Sequence, residues 1–295
     1  MKTSNHLLRR LTAALLAAVL ALSIALPVFA SDDGDTIYIN SVSDLLSLAK
    51  SCAYDQWSVG KTVILQKDLS LEGMLWEPIP SFSGQFKGNG HTISDLTITG
   101  QYSPAGLFGI VEEQGSIESL SVRGIVSVSD SADTTTGGIV GINHGTLINC
   151  QFTGVVTGDS EVGGIVGRNE SEGTIDHSTA RAIVTGKSST GGIAGYNLGA
   201  ITGCTNVGSI NTEYQEASLD TDGFTAKMVD QINNKMAAAD DDATNSVTNV
   251  ATDTGGIAGR SSGMILTSVN TGAVGYEHVG YNVGGIVGRT DGLVS

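Results

Sequence analysis

The chain has 295 residues, 40 of them Gly and 4 Pro, with 40% hydrophobic and 15% charged residues and a formal charge of −15. Glycine at about twice its usual share, without a Gly-X-Y period and with so little proline, excludes collagen, and the hydrophobic content excludes a disordered acidic linker. Such a polyanion is repelled by nucleic acid and by anionic lipid, so neither is an expected partner.

Residues 1–30 read as a secretory signal peptide. Lys2, Arg9 and Arg10 supply a positive start, Leu11 to Leu26 is an apolar run, and Pro27 precedes the small residue Ala30. Cleavage before Ser31 is expected, leaving residues 31–295 at −18, exported to the medium or the cell surface. The competing reading is an uncleaved anchor, since the apolar run approaches the roughly 20 residues that span a bilayer. No later segment is expected to insert in a membrane.

Residues 31–105 are expected to form a cap and the first coils of a solenoid. Ile37-Tyr38-Ile39 predicts a strand. Ser41-Val-Ser-Asp44 resembles a capping box, and it leads into a helix with Leu45, Leu48 and Ala49 on one face. Such a helix covers the open end of a solenoid. Thr62 to Leu65 and Leu69 to Leu71 then begin the coils.

Residues 106–295 carry a repeat. Gly-Gly-Ile-(Val/Ala)-Gly recurs at 137–141, 163–167, 191–195, 255–259 and 284–288, after a degenerate Gly106-Leu107-Phe108-Gly109. Each copy leads into a frame that aligns without gaps. Ile117, Leu147, Ile175, Ile201 and Ile265 form one column, and Val126, Val156, Val184, Ile210 and Val274 another, nine residues on. Between them run Leu120, Cys150, Ser178, Cys204 and Ser268, then Gly124, Gly154, Ala182, Gly208 and Gly272. Short β-branched runs punctuated by glycine, with nothing at a 3.6-residue period, predict strands. Stacked coils bury such columns on one another at about 4.8 Å per coil. The expectation is an all-β solenoid, a parallel β-helix with two or three short strands per coil, glycines giving the corners positive φ, and length varying only in corner loops.

The segments Gly137-Gly-Ile-Val-Gly-Ile-Asn-His-Gly-Thr-Leu-Ile-Asn-Cys150 and Thr153-Gly-Val-Val-Thr-Gly158 resemble the GLUG repeat of bacterial surface proteins. That repeat also occurs in the N-terminal regions of bacterial immunoglobulin-A1 proteases, whose opening coils Phe86 to Ile93 and Asp95 to Ile98 are similar to. The resemblance implies a right-handed, pectin-lyase-like β-helix on an exported protein, and it implies no reaction.

Residues 211–254 interrupt the repeats with a charge of −7. Phe224, Met228, Ile232 and Met236 at i, i+4 spacing behind Asp222 predict an amphipathic helix against the side of the solenoid, or a protrusion that binds a partner. Asp240-Asp-Asp242 lacks the alternating ligands of a calcium loop. Arg289 to Ser295 begin a further repeat and stop before its frame is complete, from which we expect the natural protein to continue.

Candidate chemistry is sparse. Cys150 and Cys204 share a column two coils apart, about 9.6 Å and beyond a disulfide's reach, so all three cysteines, Cys52 included, are expected free and buried. His6 leaves with the signal, and His91, His144, His177 and His278 fall at separate corners without a His-Glu-x-x-His zinc motif. A polysaccharide lyase or hydrolase needs clustered carboxylates, or an arginine base with calcium-binding acids. Asp95, Asp130, Asp176 and Asp222 occupy different columns, and Arg123, Arg168, Arg181, Arg260 and Arg289 read as scattered. Arg168, Arg260 and Arg289 each follow their Gly-Gly-Ile motif, a repeated surface position. The expected function is therefore noncatalytic: an extracellular or cell-surface stalk, adhesin-like module or scaffold whose loops bind an extracellular protein or glycan, without catalytic residues, cofactor or metal. The alternative is the noncatalytic N-terminal part of a larger secreted hydrolase.

Overall fold

The computed structural model describes residues 35–54, 56–128, 134–212, 251–275 and 281–295. From Ile37 onward they form one unit. The signal region, His278, Asp130, Asp222, the Asp240–Asp242 run and the proposed insertion helix lie outside the described residues.

The polypeptide winds through four parallel sheets. One coil shows the plan: Thr135–Gly137 on face 1, Val140–Asn143 on face 2, Thr146–Ile148 on face 3 and Gln151–Thr157 on face 4. The four sheets hold five, seven, nine and eight strands respectively, one of the eight lying off its sheet's main path. The expectation of two or three strands per coil is thus corrected to four. Its cause is the Gly-Gly-Ile motif itself, which is a sharp corner between two short strands, not one strand.

Each column inferred from the frame is a ladder. Leu147 stands between Ile117 and Ile175, followed by Ile201 and Ile265. Val156 stands between Val126 and Val184, followed by Ile210 and Val274. The motif isoleucines stack through their backbones, with Ile139 N–H donating to Ile165 O, Ile165 to Ile193, Ile193 to Ile257 and Ile257 to Ile286. The first four of these side chains have no solvent exposure, and Ile286 packs against the same core. Below them Ala105 pairs with Thr136, which sets Gly106 level with Gly137, while Phe108 pairs with Val140, so the lower coil is one residue shorter at this corner.

The motif glycines do not supply positive φ, as had been expected. That conformation recurs at Ser119, Asn149, His177, Gly203 and Thr267 at the corner between faces 3 and 4, and at Ser189, Asp253 and Asn282 on face 1. What the motif needs from glycine is a missing Cβ. At Gly138 a Cβ would run into the Phe152 ring across the core, and at Gly167 it would lie 2.6 Å from the Thr136 backbone nitrogen. The interior is too thin there for any side chain.

The first coils are filled differently. Phe82, Phe86 and Phe108 pack with centroids 5.4–6.3 Å apart, and Trp76 donates its indole N–H to Leu107 O at 3.1 Å. Helix α1 (Val42–Ser51) joins this core through Leu45 and Leu48, with Ala49 partly buried beside them. Ser41 caps it by accepting from Asp44 N, while Asp44 accepts from Asn40 N at 2.9 Å. The reciprocal bond of a capping box is therefore shifted one residue outward.

Candidate functional site

All three cysteines are free and buried. Ser178 Oγ accepts from Cys150 N at 3.1 Å, and Cys204 Sγ from Ser178 N at 3.4 Å, so the small-residue column is continuous. Burial pushes the Cys150 and Cys204 thiols up to about 12 and Cys52 to about 11. Such thiols are inert as nucleophiles near neutral pH.

A second interior column was not recognised from the sequence. Asn143, Asn169 and Asn197 point inward without solvent exposure, each level with the next. Asn143 Nδ2 donates to Asn169 Oδ1 and Asn169 Nδ2 to Asn197 Oδ1, both at 2.8 Å, and the run ends on Ser261 Oγ at 3.1 Å. Asn143 also closes its own corner, donating to Gly145 O and accepting from Gly145 N. The signal was the Gly-x-Asn spacing after the first three Gly-Gly-Ile motifs. These amides are structural: buried polar groups that satisfy one another.

The described histidines and acids stay apart. His91 Nδ1 lies 3.1 Å from Asp68 Oδ1, and the Thr92 backbone N–H, with His91, holds that carboxyl below its ordinary value. His177 pairs with the adjacent Asp176 at 2.8 Å, on another face. Asp95 accepts from Ser70 and Ser94. No group of three or more His, Cys, Asp or Glu is placed to hold a metal among the described residues, and none of their helices is long and apolar enough to cross a membrane. The corner with positive φ borders a shallow polar cleft of about 640 Å³, lined by Lys87, Asn89, Gly90, Glu118, Ser119, Ser121 and Asn149.

The arginines are not all scattered. Arg168, Tyr196, Arg260 and Arg289 occupy successive rungs of one outward column on face 2. Tyr196 is flanked on both sides, with the Arg168 and Arg260 guanidinium carbons 5.3 and 5.1 Å from its ring centroid. The motif already set the three arginines at one repeated position, and the register adds that Tyr196 stands between Arg168 and Arg260. Arg123 and Arg181 stand on face 4 with Thr153 between them.

The corner from face 4 to face 1 carries the long interruption. Ile210 is level with Val184, and Thr252 with Ser188. In the lower coil Thr185, Gly186 and Lys187 join these levels. Asn211 and Thr254 belong to the solenoid, Asn211 Nδ2 donating to Thr254 Oγ1 at 2.9 Å.

Comparison with known proteins gives the same repeat. The GLUG motif model matches residues 158–185, one turn of the solenoid. Halomucin from Haloquadratum walsbyi is 32% identical over 155 residues, covering 48% of this chain and 2% of halomucin. A Gly-rich protein of Evansella cellulosilytica, described as a membrane protein, is 29% identical over 137 residues, covering 34% of this chain and 16% of its own length. The chain thus spans a small part of these relatives. A crystal structure from Bacteroides ovatus, described as an immunoglobulin A1 protease, aligns with 88% of this chain and 83% of its own, at 12% identity and a TM-score of 0.42. With the matched turn set among ladders of its own kind, the chain carries a GLUG repeat and is built as a parallel β-helix.

Proposed function

We propose that this chain is a noncatalytic module of an exported or cell-surface protein, an adhesin-like stalk or scaffold whose corners bind an extracellular protein or glycan. The observation that carries this reading is the contrast within each coil. Inward columns hold a fixed register over successive rungs, whereas the corner from face 4 to face 1 differs from coil to coil. Loops displayed on a rigid framework are where recognition usually resides. The relative described as a membrane protein supports a location at the cell envelope, and the positive, apolar and small-residue segments of residues 1–30 support export.

The test has two arms. Secreted or surface-shaved material should begin at Ser31, and retention in the cytoplasm would reject the location. The purified chain should leave acidic polysaccharides intact with or without calcium, and depolymerisation would reject the noncatalytic reading.

A further inference from the structure

Within the face 2 column, one arginine has carboxylates within ion-pair distance and two do not. Arg168 Nη1 donates to Glu161 Oε1 at 3.1 Å, and its Nε lies 2.8 Å from Glu170 Oε1 in an ion pair off the N–H axis. Glu161 reaches it from face 1, and Glu170 from the corner two residues on. The repeat lets the same two places be read in every other coil. Level with Glu161 stand Ser189, Asp253 and Asn282. Level with Glu170 stand Leu198, Ser262 and Asp291.

Around Arg260 the two glutamates are thus replaced by Asp253 and Ser262, and around Arg289 by Asn282 and Asp291. Both aspartates are engaged elsewhere: Asp253 accepts from Asn282 Nδ2, and Asp291 from Ser262 Oγ, each at 2.6 Å. Among the described residues no carboxylate lies within ion-pair distance of Arg260 or Arg289. The Ser262 hydroxyl, with both guanidiniums, holds the Asp291 carboxyl below its ordinary value. The Arg260 Nε–H, like that of Arg168, is buried without a hydrogen-bond partner. Like charges on adjacent rungs repel, and an unpaired buried donor is costly. The column thus supplies two ion-paired carboxylates to Arg168 and only the more distant Asp291 to the next two guanidiniums.

We infer that Arg260 and Arg289 form a receptor for the glutamate or aspartate carboxylates of a partner protein, seated where Glu161 and Glu170 seat on Arg168. The internal template is a glutamate side chain, which favours a peptide ligand. The chain's charge of −15 disfavours a long polyanion such as an acidic glycan. Charge-assisted pairing to a planar guanidinium supplies the specificity. The site lies on a sheet face and not at the variable corner, so its failure leaves the reading of the corners standing.

The experiment follows arginine Nε–H resonances of the full chain while three probes are added: a short peptide bearing two glutamates, its glutamine twin, and a trigalacturonate. The glutamate peptide should move the Arg260 and Arg289 signals saturably and leave Arg168 in place, and the glutamine twin should move none. Arg260→Gln with Arg289→Gln should weaken peptide binding about tenfold or more at unchanged circular dichroism, whereas Arg168→Gln should change it less than about twofold. No saturable shift, equal shifts with the glutamine twin, or shifts with trigalacturonate alone would each overturn the proposal, the last by assigning the column to a glycan.

Discussion

The first coils and the later ones fill the same cross-section by opposite means. Around Phe82, Phe86 and Phe108 the core is aromatic and irregular, each ring set at an angle against the others. From Ile139 upward it is a set of columns in which like stacks on like: isoleucine, asparagine, and the serine–cysteine run. The aromatic packing is specific to one place and fixes where the coils begin beneath α1. The columns are interchangeable from rung to rung, so they fix spacing but not position. A solenoid needs both, since a perfectly repeating stack could slip by a whole coil at no cost in contacts.

The sharpest way to break the columns is Ile165→Asp, which sets an unpaired charge among fully buried neighbours on both sides. It should cost more than about 4 kcal/mol and disrupt adjacent coils, seen as loss of cooperative urea unfolding. Phe86→Ala in the aromatic region should cost about 3–5 kcal/mol, and hydrogen exchange should rise first in the coils next to α1. Asn169→Ala removes the middle of the amide run, leaving the Asn143 donor and the Asn197 acceptor unpaired. A loss of about 2–3 kcal/mol is expected in the same unfolding assay, and no measurable loss would show that the run is dispensable.

The thiols give a smaller, pH-confined effect. Their folded values are raised from 9.0 to about 12 by burial, so the stability they contribute is complete below pH 9 and drains away as pH rises toward 12. Cys150→Ser with Cys204→Ser should cost less than about 1 kcal/mol each at pH 7, because Ser178 already serves in that column, and the variant should lose less stability than the parent above pH 9. Smallest of all, deletion of 213–250 should leave stability within about 1 kcal/mol, since it leaves as many residues between Ile210 and Thr252 as join Val184 to Ser188 one coil below. Unfolding on deletion would make the segment part of the framework.

The inward columns were legible because a nine-residue frame without gaps places side chains by simple counting: Leu147 on Ile175 and Val156 on Val184 follow from it. The strand count was not legible, because a Gly-Gly corner and a glycine-rich strand look alike until the backbone's close approach is seen at Gly138. The positive-φ corner was assigned to glycine on general grounds, yet the chain uses Asn149 and His177 there, where a short polar side chain tolerates the left-handed region. The place of Tyr196 in the arginine column was hidden: Arg168 and Arg260 are its neighbours only once the ladder is in register. Of the candidate site residues, the sequence placed Arg168, Arg260 and Arg289 at equivalent positions but could not show which of them has a carboxylate.

The adjacent ladder positions of Ile210 and Thr252, one coil above Val184 and Ser188, separate two quantities that are usually tied. From Gly191 to Gly255 the chain runs 64 residues, yet the structure rises by a single rung of about 4.8 Å. Closing a longer loop between fixed ends costs only about 0.6 kcal/mol for each doubling. Contour length can therefore change at that junction by whole segments while the height of the stack, and the alignment of everything above it, stays as it was. The junction is a splice point, where new sequence can be accepted or discarded without the ladders registering the change.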